Sequence, residues 1–247
     1  MPVFQGKSVL VTGGSRGIGR AIALRFAELG ATRVAISYLR NDAAAEETAE
    51  EIRAHGAEAQ LLRGNVGEPE KAAALAAEAG AIDVLVSNAA TGVIRPVLEL
   101  EEKHWDWTLS ANSRALFTLA RHVVPTMPPG SSIVALTSLG SQRVLENYVL
   151  VGVSKAALEA LVRYLAVELA PRDIRVNAVS AGLVETGALA YFPNREEMLA
   201  WYERRTPAGR LVEPRDVAEV VCFLASPAAA MIRGQTVIVD GGYSILA

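Results

Sequence analysis

Short runs of apolar, β-branched residues alternate with longer stretches of helical periodicity from one end of the 247-residue chain to the other. This alternation is typical of a parallel sheet that is covered by helices on both faces. We therefore predict an α/β, doubly wound fold with seven parallel strands, built as a single domain over residues 1–247. The predicted strands are Ser8–Thr12, Arg33–Ser37, Ala59–Arg63, Ile82–Ser87, Ser132–Thr137, Arg175–Val179 and Thr236–Val239.

Ile18, Ile22, Phe26 and Leu29 mark the apolar face of the first predicted helix. Three further stretches have helical periodicity, of which one is charged and amphipathic and two are long. They are Ala43–Arg53, Glu101–Val124 and Tyr148–Ala170. The stretch Gly182–Arg210 differs in composition from the rest of the chain, since it is rich in Pro, Gly, Arg and aromatic residues and contains no run typical of a strand. A connection of this length usually has a function, and we predict a substrate lid at about residues 182–210; a plain surface excursion is the alternative.

Charge and cysteine content restrict the classes of partner and compartment. The net charge of -3 provides no basic field for nonspecific binding of nucleic acid or an anionic membrane. The single cysteine, Cys222, lies in an apolar stretch and is expected to be buried and inert. No apolar stretch approaches the length of a membrane span, and the first apolar run is too short for a signal peptide. We expect a cytoplasmic protein that binds neither nucleic acid nor membrane.

A glycine-rich segment, Thr12–Gly19, joins the first predicted strand to the first predicted helix. Glycines let the backbone turn tightly and approach a pyrophosphate, and the helix N-terminus presents free N–H groups to it. In this position the Gly-x-x-x-Gly-x-Gly spacing predicts a dinucleotide site of the Rossmann type. A turn that only packs helix on strand is the alternative. The predicted cofactor-binding residues here are Gly13, Ser15, Arg16, Gly17, Ile18 and Gly19.

The end of the second strand decides which dinucleotide is bound, because an Asp or Glu there would accept hydrogen bonds from a free ribose 2′-hydroxyl. The chain instead has Tyr38, Arg40 and Asn41, and Arg40 with Arg16 could hold a 2′-phosphate. We therefore predict NADPH rather than NADH, with these residues in the cofactor site. Asp42 argues against NADPH, since its carboxylate lies nearby and could contact the ribose. The alternative is that Asp42 is the N-cap of the next helix.

Two asparagine turns follow the third and fourth strands at their carboxyl ends, where a doubly wound sheet binds its ligand. Their side-chain amides are predicted to meet the adenine edge and to stabilise the central strands, although each could be turn chemistry alone. The residues predicted to contact the cofactor are Asn65, Val66, Asn88, Ala89 and Ala90.

A tyrosine and a lysine stand at an informative spacing. Tyr148 precedes Lys155 by seven residues, and the position four before the lysine is Val151, which has no acidic proton. Seven helical residues turn roughly 700° and rise roughly 10 Å, so both side chains remain on one face of a helix. A proton donor set further from the cofactor suits hydride addition to an enoyl thioester, in which the carbon that accepts the hydride lies two carbons from the oxygen.

These segments resemble the short-chain dehydrogenase/reductase superfamily over essentially the whole chain. TGGSRGIG, SNAA, LTSLGS, VSKAAL and RGQTVIVDGG occur in the order that this superfamily has. NAATGVIRPVLELEEKHWDW, SLGSQRVLENYVLVGVSKAALEALVRYLAVEL, FPNREE and TPAGR resemble bacterial enoyl-[acyl-carrier-protein] reductase III, as does the Tyr-x6-Lys spacing. The resemblance implies NADPH-dependent reduction of trans-2-enoyl thioesters, fatty acid elongation and a homotetramer. Ala90, Val151 and Ala181 depart from the general superfamily pattern, and of these Val151 alone alters the chemistry.

The predicted catalytic residues are Tyr148, Lys155, Ser138 and Asn112. Tyr148 would donate to the enolate oxygen, and Lys155 would hold the nicotinamide ribose and lower the pKa of the tyrosine. Ser138 would act on the oxyanion side in a ketone reductase or only shape the pocket here, and Asn112 matches the superfamily's water-relay asparagine or is a structural polar residue. No metal site is predicted, because the three histidines are scattered. Gly182, Val184, Thr186 and Lys155 are predicted to contact the nicotinamide half of the cofactor.

The predicted lid supplies apolar surface for an acyl chain and basic residues near its entrance. The arginines could steer an acidic acyl carrier protein, or they could be solvated. The apolar residues are Tyr191, Phe192, Met198, Leu199, Trp201 and Tyr202, and the basic ones are Arg195, Arg204, Arg205 and Arg210.

Two other functions stay open at the level of sequence. A 3-oxoacyl thioester ketoreductase could have recruited Tyr148 as its donor. A non-catalytic NADP-binding sensor or scaffold could have lost catalysis through Val151. Turnover of enoyl and 3-oxoacyl thioesters separates these readings.

Overall fold

The computed structural model describes residues 3–184 and 195–246. Seven parallel strands form one sheet in the order β3-β2-β1-β4-β5-β6-β7. All seven predicted strands are confirmed, as is the doubly wound α/β fold. The strands are β1 Ser8–Thr12, β2 Arg33–Tyr38, β3 Glu58–Arg63, β4 Val84–Ser87, β5 Ser132–Ser138, β6 Arg175–Ala181 and β7 Thr236–Val239.

Helices cover both faces of this sheet, because each carries an apolar stripe that must be buried. One layer buries side chains of α1 and α8, and the other buries side chains of α3, α5 and α6. The helices are α1 Gly17–Glu28, α2 Asp42–Ala54, α3 Pro69–Ala79, α4 Glu102–Leu109, α5 Ala115–Val123, α6 Val149–Glu168, α7 Arg195–Arg205 and α8 Pro214–Ala225.

Two long helices differ from their predictions in ways that affect the site. The predicted helix Glu101–Val124 is interrupted by a π-helical turn, Ser110–Arg114, between α4 and α5. The predicted helix Tyr148–Ala170 begins one residue later than predicted, because Tyr148 is the N-cap residue of α6 and has non-helical φ and ψ of -103° and 13°. The reason is local: Asn147 before it has a left-handed φ of 59°, which a helix start cannot include.

The chain order reverses between β1 and β4, which are neighbours in the sheet. Crevices at such a switch point are the usual ligand sites of doubly wound folds. The turns after β1, β4 and β5 all open at this edge. Cys222 is buried in α8, as predicted, and burial raises the pKa of its thiol.

Part of the predicted lid and some predicted site residues cannot be placed in this fold. Thr186, Tyr191 and Phe192 lie outside the described residues, as do the side chains of Arg195 and Met198. Among the residues that are described, no helix has both the length and the apolar character needed to cross a membrane.

Candidate active site

The glycine-rich turn after β1 needs its glycines for two different reasons. Gly13 and Gly17 have left-handed φ angles of 64° and 55°, which other residues rarely adopt. A Cβ on Gly19 would lie 2.2 Å from the carbonyl oxygen of Gly13 and 2.5 Å from the side-chain nitrogen of Asn88. The turn and the start of α1 therefore approach each other at a distance that only glycine permits.

The N-terminus of α1 has free N–H groups. Its N-cap residue, Arg16, makes no side-chain capping hydrogen bond, and the first turn of α1 contains no acidic residue. Arg16 is exposed, whereas the neighbouring Ser15 is buried and Ile18 packs on the core. Free helix N–H groups beside a glycine turn are the groups that bind a pyrophosphate, so this part of the chain fits a dinucleotide.

Asn88 joins the turn after β4 to the glycine-rich turn. Its side-chain amide donates to the carbonyl oxygens of Thr12 and Gly13, at 2.9 Å and 3.1 Å. In return, the Thr12 hydroxyl accepts from the backbone N–H groups of Asn88 and Ala89, at 2.9 Å and 3.0 Å. The predicted role of Asn88 in stabilising the central strands has this geometric basis, and Ala90 after it is exposed.

The asparagine turn after β3 is held by bonds within the turn itself. Asn65 donates to the Glu68 carboxylate at 2.8 Å and accepts from the Gly67 backbone N–H at 3.0 Å. Val66 is buried at the same turn. Asn65 thus follows the turn-chemistry alternative, and the predicted adenine contact stays a prediction for this pair.

Asp42, the first carboxylate after β2, is engaged by two neighbouring side chains. Asp42 pairs with Arg63 at 3.3 Å and hydrogen-bonds to the phenol of Tyr38. Burial, reinforced by this hydrogen bond, raises the pKa of Tyr38. The N-cap of α2 is Asn41, whose side chain accepts from the Ala44 N–H at 3.1 Å, so the assignment of Asp42 as N-cap is wrong by one residue.

Two arginines stay available for a phosphate at this end of the site. Arg16 and Arg40 are both exposed, and within residues 3–184 and 195–246 neither of them forms an ion pair. The carboxylate that could oppose a 2′-phosphate is already paired with Arg63. The local charge therefore favours a phosphorylated ribose.

Tyr148 is placed by the chain on both sides of it. Asn147 turns the backbone in a left-handed conformation, and the Tyr148 carbonyl accepts from Gly152 N–H at 2.8 Å in the first turn of α6. The phenol ring lies on Gly140, where an added Cβ would come within 2.6 Å of two ring carbons. The hydroxyl of Tyr148 is 3.5 Å from that of Ser138. Two of the predicted catalytic residues are therefore brought together.

The protonation of Tyr148 differs from expectation. We expected Lys155 to lower the pKa of this tyrosine, but burial raises that pKa, and only the hydrogen bond with Ser138 opposes the effect. Since the phenol is held above its ordinary pKa of 10.0, it stays protonated at neutral pH. Tyr148 is therefore in the form that a proton donor requires.

Lys155 is a buried amine with a depressed pKa. It is 6% exposed, and its ammonium donates to the Leu136 carbonyl oxygen at 2.8 Å. Burial lowers the pKa of Lys155 to about 8, and the carboxylate of Glu159 acts in the opposite direction. Lys155 thus changes charge near neutral pH, as groups in active sites often do.

Asn112 lies in the π-helical turn and connects two parts of the site. Its amide donates to the Thr91 carbonyl at 2.9 Å and to the Ser154 hydroxyl at 2.8 Å, and it accepts from Thr91 N–H at 2.9 Å. Ser154 immediately precedes Lys155 on α6. This geometry gives Asn112 a supporting position behind Lys155, and the water-relay role stays a prediction. Val151, in the usual tyrosine position, is buried against Gly92.

The opposite wall of the site contains aromatic side chains from α7 and the C-terminal segment. Tyr202 stacks on Tyr243 with 4.5 Å between ring centroids, and Trp201 packs edge-on against both. Burial, with the Tyr243 hydroxyl and then the nearby Tyr148, raises the pKa of Tyr202 to about 12. Two residues of the predicted acyl surface thus form one cluster, and Tyr148 is close enough to Tyr202 to contribute to the raised pKa of Tyr202.

The remaining predicted residues have structural contacts. Gly182 approaches Asp240 so closely that a Cβ would lie 2.9 Å from its backbone, and Val184 forms a parallel bridge with Val212. Of the arginines predicted to steer a carrier protein, Arg210 is bound to Asp216 by two hydrogen bonds at 2.6 Å and 2.7 Å. Arg205 lies 5.0 Å from the centre of the Trp201 ring. Arg204 is exposed at the end of α7.

Sequence reasoning missed three residues in or behind this site. Thr12 was read only as part of the glycine motif, and Tyr243 lies far along the chain from the lid that it contacts. Glu159 is 5% exposed on an apolar helix face, one helical turn after Lys155. A charged residue at an i, i+4 position from the predicted lysine, among apolar neighbours, was the available signal.

Comparison with known proteins agrees with this geometry. A family model described as enoyl-(acyl carrier protein) reductase matches residues 13–244. The 1-cyclohexenylcarbonyl-CoA reductase of Streptomyces collinus is 39% identical over 244 residues, which cover 96% of this chain and 87% of that protein.

Solved structures of two bacterial enzymes superpose closely on the chain. A mutant short-chain dehydrogenase/reductase of Serratia marcescens has a TM-score of 0.92 at 31% identity and covers 99% of this chain and 100% of its own. A short-chain dehydrogenase of Burkholderia cenocepacia J2315 in complex with NADP has a TM-score of 0.90 at 32% identity. The match covers 98% of this chain and 99% of that chain. The fold, the glycine-rich turn, the half-buried Tyr148 with the buried Lys155, and these matches lead to one conclusion: the chain belongs to the short-chain dehydrogenase/reductase superfamily.

Proposed function

We propose that this protein reduces the trans-2 double bond of enoyl thioesters with NADPH. The observation that carries the proposal is the placement of Tyr148, a half-buried, protonated phenol beside Ser138, at the Tyr-x6-Lys spacing from a buried Lys155. The position four residues before the lysine holds Val151, which is buried and cannot donate a proton. The donor is thus displaced toward the start of α6.

NADPH is the cofactor, and it supplies the hydride when bound. The glycine turn and the N-terminus of α1 fit its pyrophosphate, and the exposed Arg16 and Arg40 fit its 2′-phosphate. The related Burkholderia enzyme is in complex with NADP, which agrees with this choice.

The protein's own chemical task is to stabilise the oxygen of the enolate that forms when the β-carbon is reduced. Tyr148 donates a hydrogen bond or its proton to that oxygen. Its raised pKa keeps the proton in place, and the Ser138 hydroxyl orients the phenol. Lys155 holds a positive charge behind the site and is the residue that would bind the ribose hydroxyls. The aromatic cluster of Trp201, Tyr202 and Tyr243 forms an apolar wall for the acyl group.

The finer assignment is reduction of an enoyl group on acyl carrier protein during fatty acid elongation. The matching family model has this description. The name of the Streptomyces relative instead describes a coenzyme A thioester, and a 1-cyclohexenylcarbonyl group is itself α,β-unsaturated. The family description and the name of this relative agree that the substrate is a conjugated thioester. They differ in whether the acyl group is carried on acyl carrier protein or on coenzyme A.

We also propose a homotetramer. Large apolar side chains on α4, α5 and α6 are exposed on the single chain. A contact between subunits would cover these side chains. They include Trp105, Trp107, Phe117, Val153 and Val167.

Steady-state NADPH oxidation with matched substrates tests the proposed reaction. We expect crotonyl thioester to be turned over with kcat/KM at least about tenfold above that of acetoacetyl thioester, which corresponds to about 1.4 kcal/mol in transition-state stabilisation. Each acyl group is offered on coenzyme A and on acyl carrier protein. Preferential reduction of the 3-oxo substrate would instead make the protein a ketoreductase, and NADPH binding without turnover of either would make it a non-catalytic sensor or scaffold.

The 2′-phosphate site gives a second test. We expect Arg40→Ala to weaken NADPH binding about tenfold while NADH binding changes by less than about twofold, because only NADPH carries the phosphate that the guanidinium contacts. Fluorescence titration of both cofactors measures the two effects. Arg53→Ala, at an exposed arginine in the last turn of α2, serves as the control. Equal losses for both cofactors in Arg40→Ala would remove this residue from the phosphate site.

A further inference from the structure

Glu159 is a buried carboxylate to which the proposed reaction gives no role. It lies on α6, is 5% exposed and sits one turn after Lys155. A buried charge is costly unless it is hydrogen-bonded. The identity of its partners therefore shows what this residue does.

Within residues 3–184 and 195–246, the side-chain donors to Glu159 come from the end of β5 and the turn after it. Thr137 donates to one carboxylate oxygen at 2.9 Å, and Ser141 donates to the same oxygen. Gln142 donates to the other oxygen at 3.3 Å. Ser138 lies between the first two of these donors in the sequence. One side chain of α6 therefore fastens the segment that contains Ser138.

The same segment supports the Tyr148 ring. Gly140 lies against the ring, since a Cβ there would be 2.6 Å from two ring carbons. On its other side Gly140 touches α6, because a Cβ on Gly152 would be 2.7 Å from the Gly140 carbonyl oxygen. Neither glycine has a left-handed φ, so close packing rather than backbone conformation explains both. A shift of this turn would move the surface on which the phenol lies.

We propose that Glu159 is a positioning residue, which holds the segment Thr137–Gln142 against α6 and thereby fixes both the hydroxyl partner and the ring contact of Tyr148. It acts through the segment, and its charge also opposes the lowering of the Lys155 pKa by burial. The inference rests on the proposed function in so far as Tyr148 is the donor. A misplacement of about 1 Å at a reacting group can cost about 10²-fold in rate, so the anchoring has a measurable consequence.

Two substitutions separate the hydrogen bonds from simple packing. Glu159→Leu removes both carboxylate oxygens and leaves the three donor side chains without this acceptor. Glu159→Gln keeps one acceptor oxygen for Thr137 and Ser141. We expect kcat for enoyl reduction to fall about 10- to 100-fold in the Leu variant, with the KM for NADPH within about twofold. The Gln variant should stay within about threefold of the unmodified enzyme. Glu168→Leu, at an exposed glutamate on the same helix, is the control.

A double-mutant cycle tests whether the effect passes through Tyr148. In a Tyr148→Phe background, Glu159→Leu should lower the residual rate by less than about twofold, because the donor that it positions is already absent. The same proportional loss in both backgrounds would overturn the inference. So would a Gln variant as impaired as the Leu variant, since the loss would then follow the charge rather than the hydrogen bonds.

Hydrogen exchange provides a readout that needs no substrate. Peptides covering residues 137–148 should exchange faster in Glu159→Leu than in Glu168→Leu, while peptides of β1 and α1 are unchanged. Unchanged exchange in residues 137–148 would overturn the inference whatever the activity. If Tyr148→Phe keeps full enoyl reduction, Tyr148 is not the donor; if the unmodified protein reduces no enoyl thioester, the proposed function fails. In either case the exchange result still decides whether Glu159 anchors this segment.

Discussion

Tyr148→Phe is expected to lower kcat for enoyl thioester reduction about 10²- to 10³-fold, while the Kd for NADPH changes by less than about twofold. The substitution removes only the hydroxyl, which is 3.5 Å from Ser138, and leaves the ring on Gly140. The loss therefore reports on the donor rather than on packing. Single-turnover and steady-state NADPH oxidation measure kcat, and fluorescence titration measures the Kd.

A phenol on α6, the helix that Tyr148 precedes as N-cap residue, provides the control for this substitution. Tyr164 is 71% exposed on α6, and Tyr164→Phe should leave both parameters unchanged. A Tyr148→Phe enzyme with more than about a third of the unmodified kcat would remove Tyr148 as the donor, since a group that stabilises the transition state cannot be lost at so small a cost.

Lys155→Met is expected to lower kcat/KM about 10²- to 10³-fold, because the ammonium is the positive charge behind the enolate site and the proposed partner of the ribose hydroxyls. Methionine keeps most of the length of the buried chain but leaves the Leu136 carbonyl without its donor. Thermal unfolding of the variant shows how much of the loss reflects stability. Lys103→Met, at an exposed lysine of α4, is the matched control.

The same lysine should set the alkaline limit of activity. Because burial lowers its pKa to about 8, Lys155 loses its proton as the pH rises through that value. The pKa of Tyr148 is raised, so the phenol is still protonated in this range. The pH profile of kcat/KM, which reports on the free enzyme, should therefore fall above about pH 8. A profile that stays flat to about pH 10 would mean that the charged lysine is not required.

The strands could be predicted because each is a short, β-branched run that becomes buried on both faces of a parallel sheet. The bounds of β1 and β7 agree with prediction at both ends, and β4 begins two residues later than predicted. The helical boundaries were less predictable. Periodicity reports which side of a helix is apolar but not the residue at which the helix begins. Tyr148, the N-cap residue of α6, has non-helical backbone angles and follows Asn147, whose φ is left-handed.

The candidate site was predictable where local chemistry carries the information. The glycine turn and the Tyr-x6-Lys spacing each lie within one short segment, and Arg16 and Arg40 are each identified by their position next to a predicted strand or helix. The protonation of the site could not be read in this way. The pKa values of Tyr148 and Lys155 follow mainly from burial, which depends on elements distant in sequence, and this is why the expected lowering of the tyrosine pKa was wrong.

The sequence by itself determined the doubly wound fold, the dinucleotide turn and the displaced tyrosine, because each depends on residue type and spacing along one segment. Only the tertiary structure decided that the Tyr148 ring lies on Gly140 and that Asp42 is paired with Arg63. It also decided that Glu159 accepts hydrogen bonds from the side chains on either side of Ser138. These contacts join segments that are close only after folding. Packing distance and burial, rather than sequence pattern, therefore determine which side chains act together at this site.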